Sequence, residues 1–245
     1  MTVTYPRKIT DYATVGTYAA RPATPNTAAG EISFYYETDT SHLFCYVIGT
    51  GWVQIDSGPA IVQQKAATGS GSVTLAGAPT AGNLLVAFTS DGGTSESAAS
   101  GWMKIAFTVA ANDGAGIYWK LAGAGESTTQ TPTTATPAGI CIFEIANASP
   151  GVFTQNADLS GTAIAASTTS TKSTGNSLII GMACNRSATV APTSITGATL
   201  LGVIAQGSSR TVQMFRVTTP VNGTNTVTAN YATSQGAIIP MIEIG

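Results

Sequence analysis

The chain has 245 residues, a formal net charge of −2 and only 9% charged residues, against about a quarter in an ordinary soluble domain. Hydrophobic residues reach 43%, so a sizeable core is available and the composition is not that of a disordered chain. Near-neutrality and ten scattered Lys and Arg exclude a general nucleic-acid binder, and no apolar run approaches the roughly 18 residues of a membrane helix, so neither nucleic acid nor membrane insertion is expected.

The start, MTVTYPRKITDY, lacks the long apolar core of a signal peptide. Residues 1–29 are rich in Thr, Ala and Pro, and Pro6, Pro22 and Pro25 break any helix or central strand. They read as an extended arm, with Val15–Tyr18 as a short strand, of the kind that docks onto a partner. Glu31–Glu37, His42–Ile48 and Trp52–Ile55 read as three strands, separated by a polar turn at Thr38-Asp39-Thr40-Ser41 and a glycine turn at Gly49-Thr50-Gly51. Alternation puts Ile32, Phe34 and Tyr36 on one side of the first strand and Tyr35 on the other; Leu43, Cys45 and Val47 likewise oppose Phe44, Tyr46 and Ile48. Both faces of this meander are therefore apolar. It is also shorter than the roughly 40 residues that fold unaided, so it needs the rest of the chain or further copies. Tyr35, Tyr36, Phe44, Tyr46 and Trp52 are the candidate contacts for attachment and oligomerisation.

A strand opened by Gly30, the run Tyr36-Glu37-Thr38-Asp39-Thr40, a short aliphatic strand and Gly49-Thr50-Gly51-Trp52, with Arg21-Pro22-Ala23 upstream, resembles a hairpin module of bacteriophage tail fibres and other virion appendages. The resemblance spans about residues 17–56. It implies a virion protein, assembled in the host bacterial cytoplasm, homotrimeric, and joined to other virion proteins through its N-terminal region.

Ser57-Gly58-Pro59 marks a boundary, giving residues 1–57 for attachment and 58–245 for a displayed domain. Beyond it, strand-like runs alternate with Gly-, Ser-, Thr- and Asn-rich stretches. Val73–Leu75, Leu84–Thr89, Met103–Val109, Gly116–Leu121 and Gly139–Ala146 form one set. Ile164–Thr171, Leu178–Ala183, Ile195–Ala205, Arg210–Thr218, Asn225–Tyr231 and Ala237–Ile244 form another. The sets echo each other: Gly82-Asn83-Leu84-Leu85-Val86 with Gly175-Asn176-Ser177-Leu178-Ile179, Tyr118-Trp119-Lys120 with Met214-Phe215-Arg216, and Phe143-Glu144-Ile145 with Ile242-Glu243-Ile244. This is the pattern of a duplicated unit or of two halves obeying the same burial rules. The expected fold is all-β: an N-terminal extended arm and small β-meander, then a single jelly-roll-like β-sandwich. The run Pro79-Thr80-Ala81-Gly82-Asn83-Leu84-Leu85-Val86 also resembles sandwich domains near the C-termini of phage adhesins.

Chemistry is sparse. His42 is the only histidine, so a serine triad or a two-histidine zinc site lacks its parts. Cys45, Cys141 and Cys184 form no Cys-x-x-Cys and read as free buried thiols, and neither a metal nor a cofactor is expected. Glu144 and Glu243 occupy matched positions and could face each other as a glycosidase pair. Each precedes the end of an apolar strand, however, where pairing with Lys120 and Arg216 is the favoured reading, so no enzyme is expected. Asp91, Glu96 and Asp113 lack calcium-loop spacing, and Gly123–Gln130 lacks the Gly-Lys-Ser/Thr of a phosphate loop. The loops Asp91–Trp102, Gly123–Pro137, Asn185–Pro192 and Gln206–Ser209 are the candidate surface for a host cell-surface glycan. Trp102, Asp91, Glu126, Gln130, Asn185 and Arg186 are its candidate residues; Trp102 is the aromatic to stack on a sugar, though packing at the end of the sandwich competes for it. The expected function is a tail or head fibre displaying a sandwich for adhesion. The alternatives are a capsid decoration without a receptor role, and a free carbohydrate-binding module or glycan-degrading enzyme.

Overall fold

The computed structural model describes residues 13–16, 34–37, 42–47, 51–54, 58–91, 96–110, 113–155, 159–170, 177–185, 190–206, 210–217, 220 and 223–245. The rest of the arm with Arg21-Pro22-Ala23, the turns at 38–41 and 48–50, Gly175-Asn176 and Arg186 lie outside the described residues. The described chain is all-β and contains no helix.

The N-terminal strands are β1 (Ala13–Gly16), β2 (Phe34–Glu37), β3 (His42–Val47) and β4 (Gly51–Gln54), in the order β1-β2-β3-β4. The antiparallel meander β2-β3-β4 is the expected one. The strand expected at Val15–Tyr18 lies instead at Ala13–Gly16 and pairs parallel with β2, so part of the arm belongs to the sheet. Tyr35 is opposite Phe44, and Tyr46 opposite Trp52; Tyr35 is 1% exposed.

The remaining strands are β5 (Ala60–Thr68), β6 (Val73–Thr74), β7 (Leu84–Asp91), β8 (Met103–Ala110), β9 (Asp113–Leu121), β10 (Thr129–Gln130), β11 (Gly139–Ala146) and β12 (Pro150–Gln155). They continue as β13 (Leu159–Ser170), β14 (Leu178–Asn185), β15 (Ser194–Thr196), β16 (Ala198–Gln206), β17 (Arg210–Val217), β18 (Gly223–Ile238) and β19 (Pro240–Ile244). One sheet runs β5-β11-β7-β9-β8 and the other β12-β19-β14-β17-β16, so each takes its own five strands in the order first, fifth, second, fourth, third. Smaller pairings repeat as well. β6 with β10 corresponds to β13 with β18, and the bridge between Ala98 and Thr133 corresponds to β15 with β18.

The repeat extends to register. Leu85 lies opposite Glu144 as Ile179 lies opposite Glu243, and a β-bulge between Lys104 and Ala106 recurs between Leu200 and Gly202. One sequence match slips by a residue: Val86 faces Trp119 as Ile180 faces Arg216, so Tyr118 corresponds to Phe215 rather than to Met214. Because side chains alternate, that slip moves each residue to the other face.

The two large sheets stack with β5 against β16, β11 against β17, β7 against β14 and β9 against β19. Equivalent central strands thus meet, and the others cross over in reverse order, as about an internal twofold. Leu84, Val86, Phe88, Cys141, Phe143 and Ile145 meet Leu178, Ile180, Met182, Met214, Ile242 and Ile244 in the shared core. Phe88 and Phe143 pack edge to face there, 5.9 Å between ring centres. Each sheet's other face is also covered. Ile164, Val227 and Ala229 of β13 and β18 close over Ile179 and Phe215, while Val73, Leu75 and Trp102 close over Leu85, Tyr118 and Ile142.

Three sequence expectations change. β5 and β12 appear where no strand is expected, and the polar loop Gly123–Pro137 contains β10. The strand expected at Ile195–Ala205 breaks at Gly197, whose φ of +82° suits glycine and whose Cβ would collide with the Thr226 carbonyl. Asn225–Tyr231 is part of one long strand, β18, and Ala237–Ile244 is its end plus β19.

Candidate functional site

The loop after β9 gathers three of the six candidate binding residues. Lys120 Nζ sits 2.8 Å from Glu126 Oε1 and 5.0 Å from the centre of the Trp102 ring. Glu126 also accepts hydrogen bonds from Gln130 Nε2 at 3.1 Å and from the Gly123 backbone N–H at 3.1 Å. The Lys120 hydrogen bond, opposed by burial and helped by Gly123 and Gln130, brings its carboxyl down to about 2. Gln130 also donates to the Ser127 carbonyl.

These contacts tie the loop together from beneath: Gln130, Pro132, Thr133 and Pro137 are buried, while 123–125, 127–129, Thr131, Thr134 and Thr136 stay exposed. Trp102 is 7% exposed, packed among Leu75, Leu85 and Tyr118, and capped by Lys120; the packing fate wins over a stacking platform. Gln130 is 1% exposed, so its amide closes the loop from within and is a correction to its place on a displayed surface. Asn185 is corrected likewise. Fully buried, it donates to the Val190 carbonyl at 2.6 Å and accepts from the Thr211 N–H at 3.2 Å, tying Val190 to the start of β17. Asp91 ends β7 opposite Gly114. Glu126, with 17% of its side chain exposed, is more accessible than Trp102, Gln130 and Asn185.

Glu144 and Glu243 are both fully buried, but they do not meet. Glu144 follows Ile140 and Ile142 on the outer face of its sheet, and Glu243 follows Met241 on the outer face of the other, with the shared core between them. A two-carboxylate glycosidase geometry is therefore absent at this pair. The expected pairing with Lys120 and Arg216 is also corrected. Lys120 goes to Glu126, and the register slip puts Arg216 on the opposite face of its sheet from Glu243. Glu144 instead accepts from Gln63 Nε2 at 2.5 Å, the Thr80 N–H at 2.8 Å and Asn83 Nδ2 at 2.6 Å. Burial pushes its pKa up, but these hydrogen bonds outweigh it and hold the carboxyl below its ordinary value. Glu243 accepts from Ser170 Oγ.

Sequence reasoning missed a third buried acid. Glu96 accepts from Thr89 Oγ1 at 2.7 Å and Tyr118 Oη at 3.0 Å, and its backbone carbonyl accepts from Lys104 Nζ at 2.9 Å. Burial, and then the charge of Glu96, raises the Tyr118 hydroxyl far above its ordinary value. Only the fold, which carries the 96–102 segment over Tyr118, reveals this tie. Cys141 and Cys184 are free and buried as expected, and burial pushes the Cys184 thiol up to about 11, which keeps it protonated and inert. Among the described residues, no three His, Cys, Asp or Glu gather to hold a metal ion. No protein-family model, curated protein or solved structure matches the chain.

Proposed function

We propose that the chain is a phage virion appendage, a trimeric fibre whose N-terminal region attaches to the particle and whose sandwich is displayed for adhesion to a host-surface glycan. The observation that carries this reading is the N-terminal sheet. Positions 35, 44, 46 and 52, all aromatic, fall on one side, and the aromatic positions 34 and 36 fall on the other. A sheet with aromatic positions on both sides needs covering on both, which suits attachment, and it coincides with the stretch that resembles the fibre hairpin module. The displayed part fits a rigid adhesin frame, with two equivalent five-stranded sheets over one core. Within each repeat a five-stranded sheet is faced by a smaller set of paired strands, which supports a jelly-roll-like reading.

One observation favours the runner-up, a decoration without a receptor role: the described loop candidates are mostly turned inward. A density map of the particle that carries this chain decides the attachment. The proposal expects residues 1–57 against the particle and residues 58–245 projecting outward. A sandwich lying flat on the shell with a free N-terminal sheet would refute it.

A further inference from the structure

The layer formed by β13, β18 and β15 covers one large sheet with its inner side, where Ile164, Val227 and Ala229 are buried. Its outer side faces solvent. Register aligns Ser167 with Thr226, Thr228 with Thr196, and Asn230 with Ser194 across neighbouring strands. These side chains are bonded to each other: Ser167 Oγ to Thr226 Oγ1 at 2.8 Å, and Asn230 Nδ2 to Ser194 Oγ at 3.1 Å and Thr196 Oγ1 at 3.2 Å. None of the three strands contains an Asp, Glu, Lys or Arg. The edge strands β5 and β8, by contrast, each carry a lysine, Lys65 and Lys104.

We propose that this hydroxyl and amide face is where the chain takes a neutral polysaccharide. The proposal rests on the adhesion reading above and gives it a place and a ligand class. Hydroxyls both donate and accept, and an amide offers two donors and an acceptor, so the face can answer a sugar's hydroxyls in either sense. Its lack of charge gives nothing to an anionic polymer, and its lack of large apolar side chains gives nothing to a lipid or to a hydrophobic protein surface. Pleat geometry spaces the positions about 4.8 Å across strands and about 6.8 Å along them, a grid of polar groups broken at Ala163 and Ala165 on β13. The mutual hydrogen bonds hold the side chains in place before the ligand arrives, which lowers the ordering cost of binding. Weak sites suffice on a multivalent particle, where linked sites gain roughly 10²–10⁴ in avidity.

The test is a glycan array of neutral and acidic bacterial oligosaccharides probed with the full-length protein. The expectation is binding to neutral members, lost with Thr226→Lys. It should fall about tenfold with Thr226→Val combined with Thr228→Val, which removes two hydroxyls while favouring strand. Melting curves should show all variants folded; the near-isosteric valine pair keeps the test valid if the lysine does not fold. Binding confined to acidic glycans, or binding lost with Glu126→Gln and untouched by the face variants, overturns the proposal. So does an array with no binding at all. In that case adhesion itself stands if the protein still blocks particle adsorption to host cells, and falls with the proposal if it does not.

Discussion

A carboxylate buried in so uncharged a chain has to be answered by hydrogen bonds, and Glu144 shows how. It accepts from a side chain of the neighbouring edge strand and from both a backbone N–H and a side chain of the loop before β7. Replacing it with Gln sets an amide donor against groups that are themselves donors. Glu144→Gln is therefore expected to lose about 1–3 kcal/mol of stability, read by denaturant unfolding. Glu126 gives the acid dependence its sign. Its carboxyl is held at about 2 in the folded chain against 4.5 ordinarily, so its contribution is complete above about 4.5 and fades as pH falls toward 2. Stability measured across that range should drop in the wild type, and Glu126→Gln should make the drop shallower. A variant as acid-sensitive as the wild type would show that the Lys120 pair adds nothing.

At the scale of elements, the crowded glycine of β14 offers the sharpest prediction. A Cβ on Gly181 would lie 2.5 Å from Phe215 Cζ and 2.6 Å from the Pro240 carbonyl oxygen, so ring and backbone both occupy its space. Gly181→Ala should cost about 1–3 kcal/mol as overpacking, seen as a lower unfolding midpoint. On the shared core, Phe88→Ala should cost about 3–5 kcal/mol, because it leaves a cavity against Phe143 between sheets that cannot collapse together. The central strands β7, β11 and β14 were legible in the sequence because both their faces are buried and they read as apolar runs. β5 and β12 were not. They are edge strands, half-exposed, with Gln63-Gln64-Lys65 in one and Pro150-Gly151 opening the other, so they carry neither the apolar run nor a clean alternation. The repeat was visible, but matching Tyr118 to Met214 instead of Phe215 missed the face, and with it the fact that Arg216 lies across the sheet from Glu243. A one-residue error leaves the apolar pattern plausible and reverses every contact. Trp102, Gln130 and Asn185 look like surface residues because they fall between the apolar runs of the sequence; in the structure Gln130 belongs to β10 and Asn185 ends β14, and all three side chains are turned inward.

At the scale of the whole molecule, an N-terminal sheet with aromatic positions on both sides precedes a duplicated sandwich whose three cores are closed within the chain. A trimer held through the N-terminal region should give three chain masses by light scattering, and variants with polar residues at positions 44 and 46 should shift it toward monomer. An oligomer indifferent to those changes would place the contact elsewhere.

The central claim, that the displayed sandwich contacts the host, is tested most directly by adsorption competition. Purified full-length protein should occupy host-cell receptors and slow adsorption of particles carrying the same chain, saturably and in proportion to its concentration. Unchanged adsorption at concentrations that visibly coat no cells, with particles still decorated by the chain, would contradict it and leave a decoration protein.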